Sequence, residues 1–83
     1  MSQVNNQSIA RFNLGSIAAA VWERTTSDGS RFYKATIETR FQDRDGNWRS
    51  SNSYSLSELV LLAKISEMAQ VKIRELEADI AMA

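Results

Sequence analysis

At Ser55 the spacing of apolar residues changes. Upstream, apolar and polar residues alternate in short runs separated by Gly-containing turns. Downstream, apolar residues recur every three or four positions to the end of the chain. A period of two belongs to strands, and a period near 3.6 belongs to a helix. The pattern therefore predicts an α+β fold: a three- or four-stranded antiparallel meander with one long C-terminal helix packed on one face.

The strand region divides at its turn residues. Ala10, Phe12 and Leu14 alternate with Arg11 and Asn13, then Gly15 interrupts as a bulge, bend or tight turn. Ser16 to Thr26 resumes extended, with Ile17, Ala19 and Val21 on one side and Ala18, Ala20, Trp22 and Arg24 on the other. Asp28-Gly29 supplies the positive φ angles of a hairpin. In Arg31 to Gln42, Tyr33, Ala35, Ile37 and Phe41 share one face, and Phe32, Lys34, Thr36, Glu38 and Arg40 share the other. Asp43 to Asn47 forms a second Gly-containing loop. The last run, Trp48 to Tyr54, is too polar to fix its own register. Its Ser50-Ser51-Asn52-Ser53 stretch reads as a hydrophilic sheet edge or the lining of a groove.

The helix start carries the most specific local signal. Ser55-Leu56-Ser57-Glu58 matches a capping box, and Tyr54 with Leu59 matches a hydrophobic staple. From there Leu59, Leu62, Ile65, Ala69, Ile73, Leu76 and Ile80 form one stripe, widened by Val60, Leu61, Ala63 and Met68. A helix from Leu56 to Met82 is about 40 Å long, whereas strands of seven to ten residues span only about 23–33 Å. The excess apolar stripe predicts a two-fold homodimer, with Met68, Val71, Ile73, Leu76 and Ile80 as its interface. Fraying of the last turns is the alternative, because Glu75, Glu77 and Asp79 oppose the helix dipole.

Residues 9–83 form one expected domain, and residues 1–8 are expected to be a disordered tail. The chain of 83 residues contains neither His nor Cys. That excludes a Ser-His-Asp triad, a Cys-His pair and a typical zinc site. Carboxylate, Lys or Tyr catalysis has no supporting motif, so the expectation is a non-enzymatic protein without cofactor or metal. Asp43-x-Asp45-Gly46 resembles part of a calcium loop, but the matching register puts Phe41 and Asn52 at essential ligand positions. No run approaches the ~20 apolar residues of a membrane span, and Met1–Gln7 lacks the regions of a signal peptide. The expected setting is the cytoplasm.

Net charge is zero, yet residues 1–54 carry seven Lys or Arg against five acids, and residues 55–83 carry three against five. The sheet region is thus mildly basic. If the helix covers the Ile17/Val21/Ile37/Phe41 face, the opposite face gathers aromatics and cations. That combination stacks bases and neutralises phosphates in single-stranded nucleic-acid binders. Trp22, Phe32, Lys34, Arg40 and Arg49 are the candidate binding residues. The competing function is a protein-interaction module acting through its long helix.

The order of elements over residues 9–83, four short strands and then one long helix, resembles the single-stranded DNA-binding fold of the Whirly and positive-cofactor-four transcription regulators. The resemblance implies a dimeric, nucleic-acid-binding protein. The string Phe12-Asn13-Leu14-Gly15-Ser16-Ile17 followed by Ala19-Ala20-Val21-Trp22-Glu23, with Leu59 to Ala63 downstream, also looks like small uncharacterised bacterial proteins with a Gly-x-Ile…Trp pattern. That group implies no particular activity.

Overall fold

The computed structural model describes residues 8–82 of the chain. Four strands, β1 (Ala10–Leu14), β2 (Ile17–Thr25), β3 (Arg31–Gln42) and β4 (Trp48–Ser51), precede one helix, α1 (Leu56–Met82). The strands form a single antiparallel sheet in the order β1-β2-β3-β4. The helix packs against β1, β2 and β3. The α+β meander read from the periodicity is the observed fold. Of the expected tail, residues 1–7 lie outside the described part; Ser8 is described, and its hydroxyl accepts a hydrogen bond from Arg11 Nε at 2.7 Å.

Each turn follows from its residues. Gly15 has φ of 57° in the two-residue β1–β2 connection. A positive φ at the first of two loop residues is the type II′ geometry that fits the twist of a hairpin. A Cβ built on Gly15 would lie 3.2 Å from Leu61 Cδ1, so the turn also sits close under the helix. The β2–β3 and β3–β4 loops each place a glycine at positive φ, Gly29 at 88° and Gly46 at 81°. Asp28 and Asp43 hold these loops through their carboxylates. Asp28 accepts from the Thr26 hydroxyl and the Ser30 N–H, and these bonds hold its carboxyl down to about 2. Asp43 accepts from the N–H groups of Asp45 and Asn47 and from Arg49 Nε. The Asp43 carboxylate, one of the two behind the faint likeness to a calcium site, is thus engaged by the hairpin itself.

The core lies between β2 and α1. Ile17, Ala19, Val21, Ile65 and Ala69 are buried, with Phe12, Leu14, Ile37, Tyr54, Leu61 and Leu62 packed around the cluster. Fully burying Ile17, Val21 and Ile65 is worth about 1.5–3 kcal/mol each. Thr39, opposite Ile17, is buried too, and its hydroxyl donates to the Ser51 carbonyl at 3.1 Å.

The capping box forms as read: Ser55 N–H donates to Glu58 Oε1 at 2.9 Å, and Glu58 N–H donates to Ser55 Oγ at 3.3 Å. Glu58 does more than cap, because its other oxygen accepts from the Ser16 hydroxyl at 2.9 Å. One carboxylate thereby ties the helix start to the β1–β2 turn. The bonds from Ser55 and Ser16 hold its carboxyl below the usual range. The staple differs from expectation. Tyr54 turns into the core and its hydroxyl donates to the Ile37 carbonyl at 2.8 Å, while Leu59 stays exposed.

The buried stripe is also shifted. Leu61 takes the sheet-facing place expected of Leu59, and Met68 joins the half-buried residues. β3 runs for 12 residues, about 40 Å at strand rise, so sheet and helix are of comparable length. Ile73, Leu76 and Ile80 are half-buried within the single chain rather than bare. The premise that the sheet is too short for the helix does not hold.

Replacing Ile65 by Ala is expected to lower the unfolding free energy by about 3 kcal/mol, from lost burial and the cavity left behind; urea unfolding measures it. The Glu58 carboxyl, depressed in the fold, stabilises above its ordinary value of 4.5 and loses that contribution as pH falls through its lowered folded value. Urea midpoints between pH 6 and pH 3 should therefore drop less steeply for Glu58→Gln than for the wild type.

Candidate nucleic-acid interface

Directly opposed residues in a sheet point to the same side, so register assigns each side chain to a face. Ala18, Ala20, Trp22 and Arg24 of β2 oppose Glu38, Thr36, Lys34 and Phe32 of β3. On β1, Arg11 and Asn13 oppose Ala20 and Ala18. These residues share the face away from the helix, together with Arg40, Ser50, Gln42 and Trp48.

Four of the five candidate residues, Trp22, Phe32, Lys34 and Arg40, therefore come to one face. Arg49 does not. It opposes Phe41, on the helix side of the sheet, and its Nε lies 2.7 Å from Asp43 Oδ2. The aromatic residue that joins the open face from β4 is Trp48, 65% exposed, with Ser50 on the same side. The polarity of residues 50–53 hid this parity from the sequence, and only the β3–β4 register fixes it.

The middle of the open face is a shallow depression of about 270 Å³, lined by Arg11, Asn13, Thr36, Glu38, Arg40 and Trp22 around the alanines of β2. Its floor is low because Ala18 and Ala20 carry only methyl groups. The rows of side chains from β1 and β3 stand two strand spacings apart, about 9.5 Å. Trp22 walls one end. Its indole N–H donates to Thr36 Oγ1 at 2.9 Å, which leans the ring across onto β3. The Arg24 guanidinium sits 5.4 Å from the ring centroid, a cation–π contact that covers one face of the indole. The structure adds Arg11 and Asn13 of β1 to the residues expected from the sequence. Alternation places them on either side of Phe12, but only pairing with β2 sets them beside the alanines.

Cations differ by face. On the helix side, Arg31 pairs with Glu23 and Arg49 with Asp43. On the open face, Arg11, Arg24, Lys34 and Arg40 make no ion pair among the described residues, and Glu38 is the one acid on that face of the strands. Half-burial of the Tyr33 ring, with Glu23 beside it, raises the phenol above its usual range on the opposite side.

The five residues expected at a dimer interface do not gather on one surface. Ile73 lines a groove of about 440 Å³ between α1 and β3. Met68 and Val71 line another between α1 and β1, beside Phe12. Leu76 and Ile80 are half-buried. The most exposed apolar side chains of α1 lie instead in its first turns: Leu56 at 82%, Val60 at 68% and Leu59 at 48%.

No family model, curated protein or solved structure matches this chain.

Proposed function

We propose that this protein is a non-enzymatic module that binds single-stranded nucleic acid on the open face of its sheet. The supporting observation is the sorting of cations: those beside the helix are neutralised by Glu23 and Asp43, whereas those on the open face have no carboxylate partner among the described residues. In this reading bases lie over the Ala18–Ala20 floor and stack on Phe32, Trp48 and the uncovered side of Trp22. Arg11, Lys34 and Arg40 hold phosphates, and Asn13, Thr36 and Glu38 offer hydrogen-bonding groups to base edges. Stacking on aromatics between unpaired cations is sequence-tolerant, so a weak preference among bases is expected. The resemblance of the element order to the Whirly and positive-cofactor-four regulators agrees with this reading. The proposal includes a cytoplasmic setting; no helix among the described residues is long and apolar enough to cross a membrane.

The test is a titration with oligothymidylate that follows Trp22 and Trp48 fluorescence at several salt concentrations. Saturable quenching is expected, weakening with salt at a slope of about −2 in log–log form if three phosphates are neutralised. Lys34→Glu with Arg40→Glu should abolish it, while Arg49→Glu, on the other side of the sheet, should leave it nearly intact. Equal binding by wild type and the Lys34/Arg40 variant would reject the site. No quenching at low salt would shift the function to a protein partner docking on Leu56, Leu59 and Val60.

A further inference from the structure

The face of α1 that points away from the sheet has an order of its own. Val60, Ala63, Glu67, Gln70, Arg74 and Ala78 are all exposed and recur at intervals of three or four. Lys64, Val71 and Glu77 flank this seam, exposed as well. The seam is not apolar enough to be a core, and it is not the scatter of a simply solvated face.

Its charges are self-complementary in one arrangement. Place a second α1 antiparallel to the first, with the two-fold axis between Gln70 and Val71. Glu67 then faces the second copy's Arg74, and Arg74 faces its Glu67. Ala63 meets Ala78, which lets the backbones approach, and Val71 lies beside its own copy near the axis. Leu59 and Val60, otherwise exposed, fall on the other helix's last turn. Each like-charged residue is offset from its own copy: Glu67 and Arg74 each lie about 10 Å from themselves along the axis. Within one chain Arg74 makes no ion pair among the described residues, and Glu67 reaches only Lys64, at 3.8 Å.

We propose that the outward face of α1 is a homodimer interface with this antiparallel register. The occupant is a second copy of the chain, because the two-fold operation sets Glu67 of each copy against Arg74 of the other. The opposite charges set register and direction more than strength. The small core and the absence of any cysteine leave a domain of this size short of other means of stabilisation. The dimer has two sheets outermost and two helices between them, so both open faces point outward. The interface does not depend on the nucleic-acid reading, and its variants leave the open face untouched.

The test is sedimentation equilibrium of the full chain, with circular dichroism to confirm folding. Wild type should sediment at twice the chain mass. Arg74→Glu alone and Glu67→Arg alone should each weaken the dimer about tenfold or more, and the two together should restore it to within about threefold, since the pairs are then reversed but intact. In parallel, Val71→Cys, next to the axis, should cross-link to its own copy with a short bis-maleimide. Ser57→Cys should not, because its two copies would lie about 40 Å apart. A monomer at all concentrations, single reversals without effect, or a double reversal no better than either single would overturn the interface. So would cross-linking of Ser57→Cys in preference to Val71→Cys.

Discussion

The packing of Ile65 with Ile17 and Ala19, with Val21 and Ala69 buried as well, is the contact on which the rest of the molecule depends. A sheet residue covered by the helix has neighbours in sequence that are not covered, because strand side chains alternate. Once Ile17, Ala19 and Val21 are buried, Ala18, Ala20, Trp22 and Arg24 must point away. Register then carries the same division to β1, β3 and β4. One helix has one sheet face to cover, so the other stays accessible. The open face is thus a consequence of how the core forms, and its chemistry is whatever the intervening positions encode.

The helix is held in place at its start by polar contacts as well as by the packing of Tyr54, Leu61 and Leu62. Glu58 joins the Ser55 N–H to the Ser16 hydroxyl, and Tyr54 reaches the Ile37 carbonyl. Gly15 keeps the intervening turn low enough to pass beneath Leu61. These contacts link the β1–β2 turn, β3 and the helix N-terminus at one end of the sheet. The axis they fix leaves Phe41 exposed on the covered side and Val60 exposed on the helix. Two different surfaces follow: a basic, alanine-floored depression on the sheet, and a charged seam on the back of the helix.

Much of this was legible before any coordinates. The change of period at Ser55, the glycine turns and the capping box each report a local constraint, and local constraints survive folding. What could not be read depends on partners distant in sequence. The parity of Trp48 and Arg49 is set by pairing with Phe41 and Gln42. Arg11 and Asn13 join the site only because β1 lies beside Ala18 and Ala20. Leu59 and Leu61 both suit an apolar stripe by spacing, and the position of the sheet chooses Leu61. β3, at 12 residues, also outruns strands of seven to ten residues, so helix length alone does not call for a second copy.

The alternation of chemistry between the two sheet faces is the central claim, and residue-resolved mapping tests it most directly. Amide spectra of the ¹⁵N-labelled protein titrated with a short oligothymidylate at low salt should shift at Arg11, Ala18, Ala20, Lys34 and Arg40. The Trp22 indole N–H should shift with them, and the signals of α1 should stay in place. Shifts concentrated along α1, or none anywhere, would contradict it.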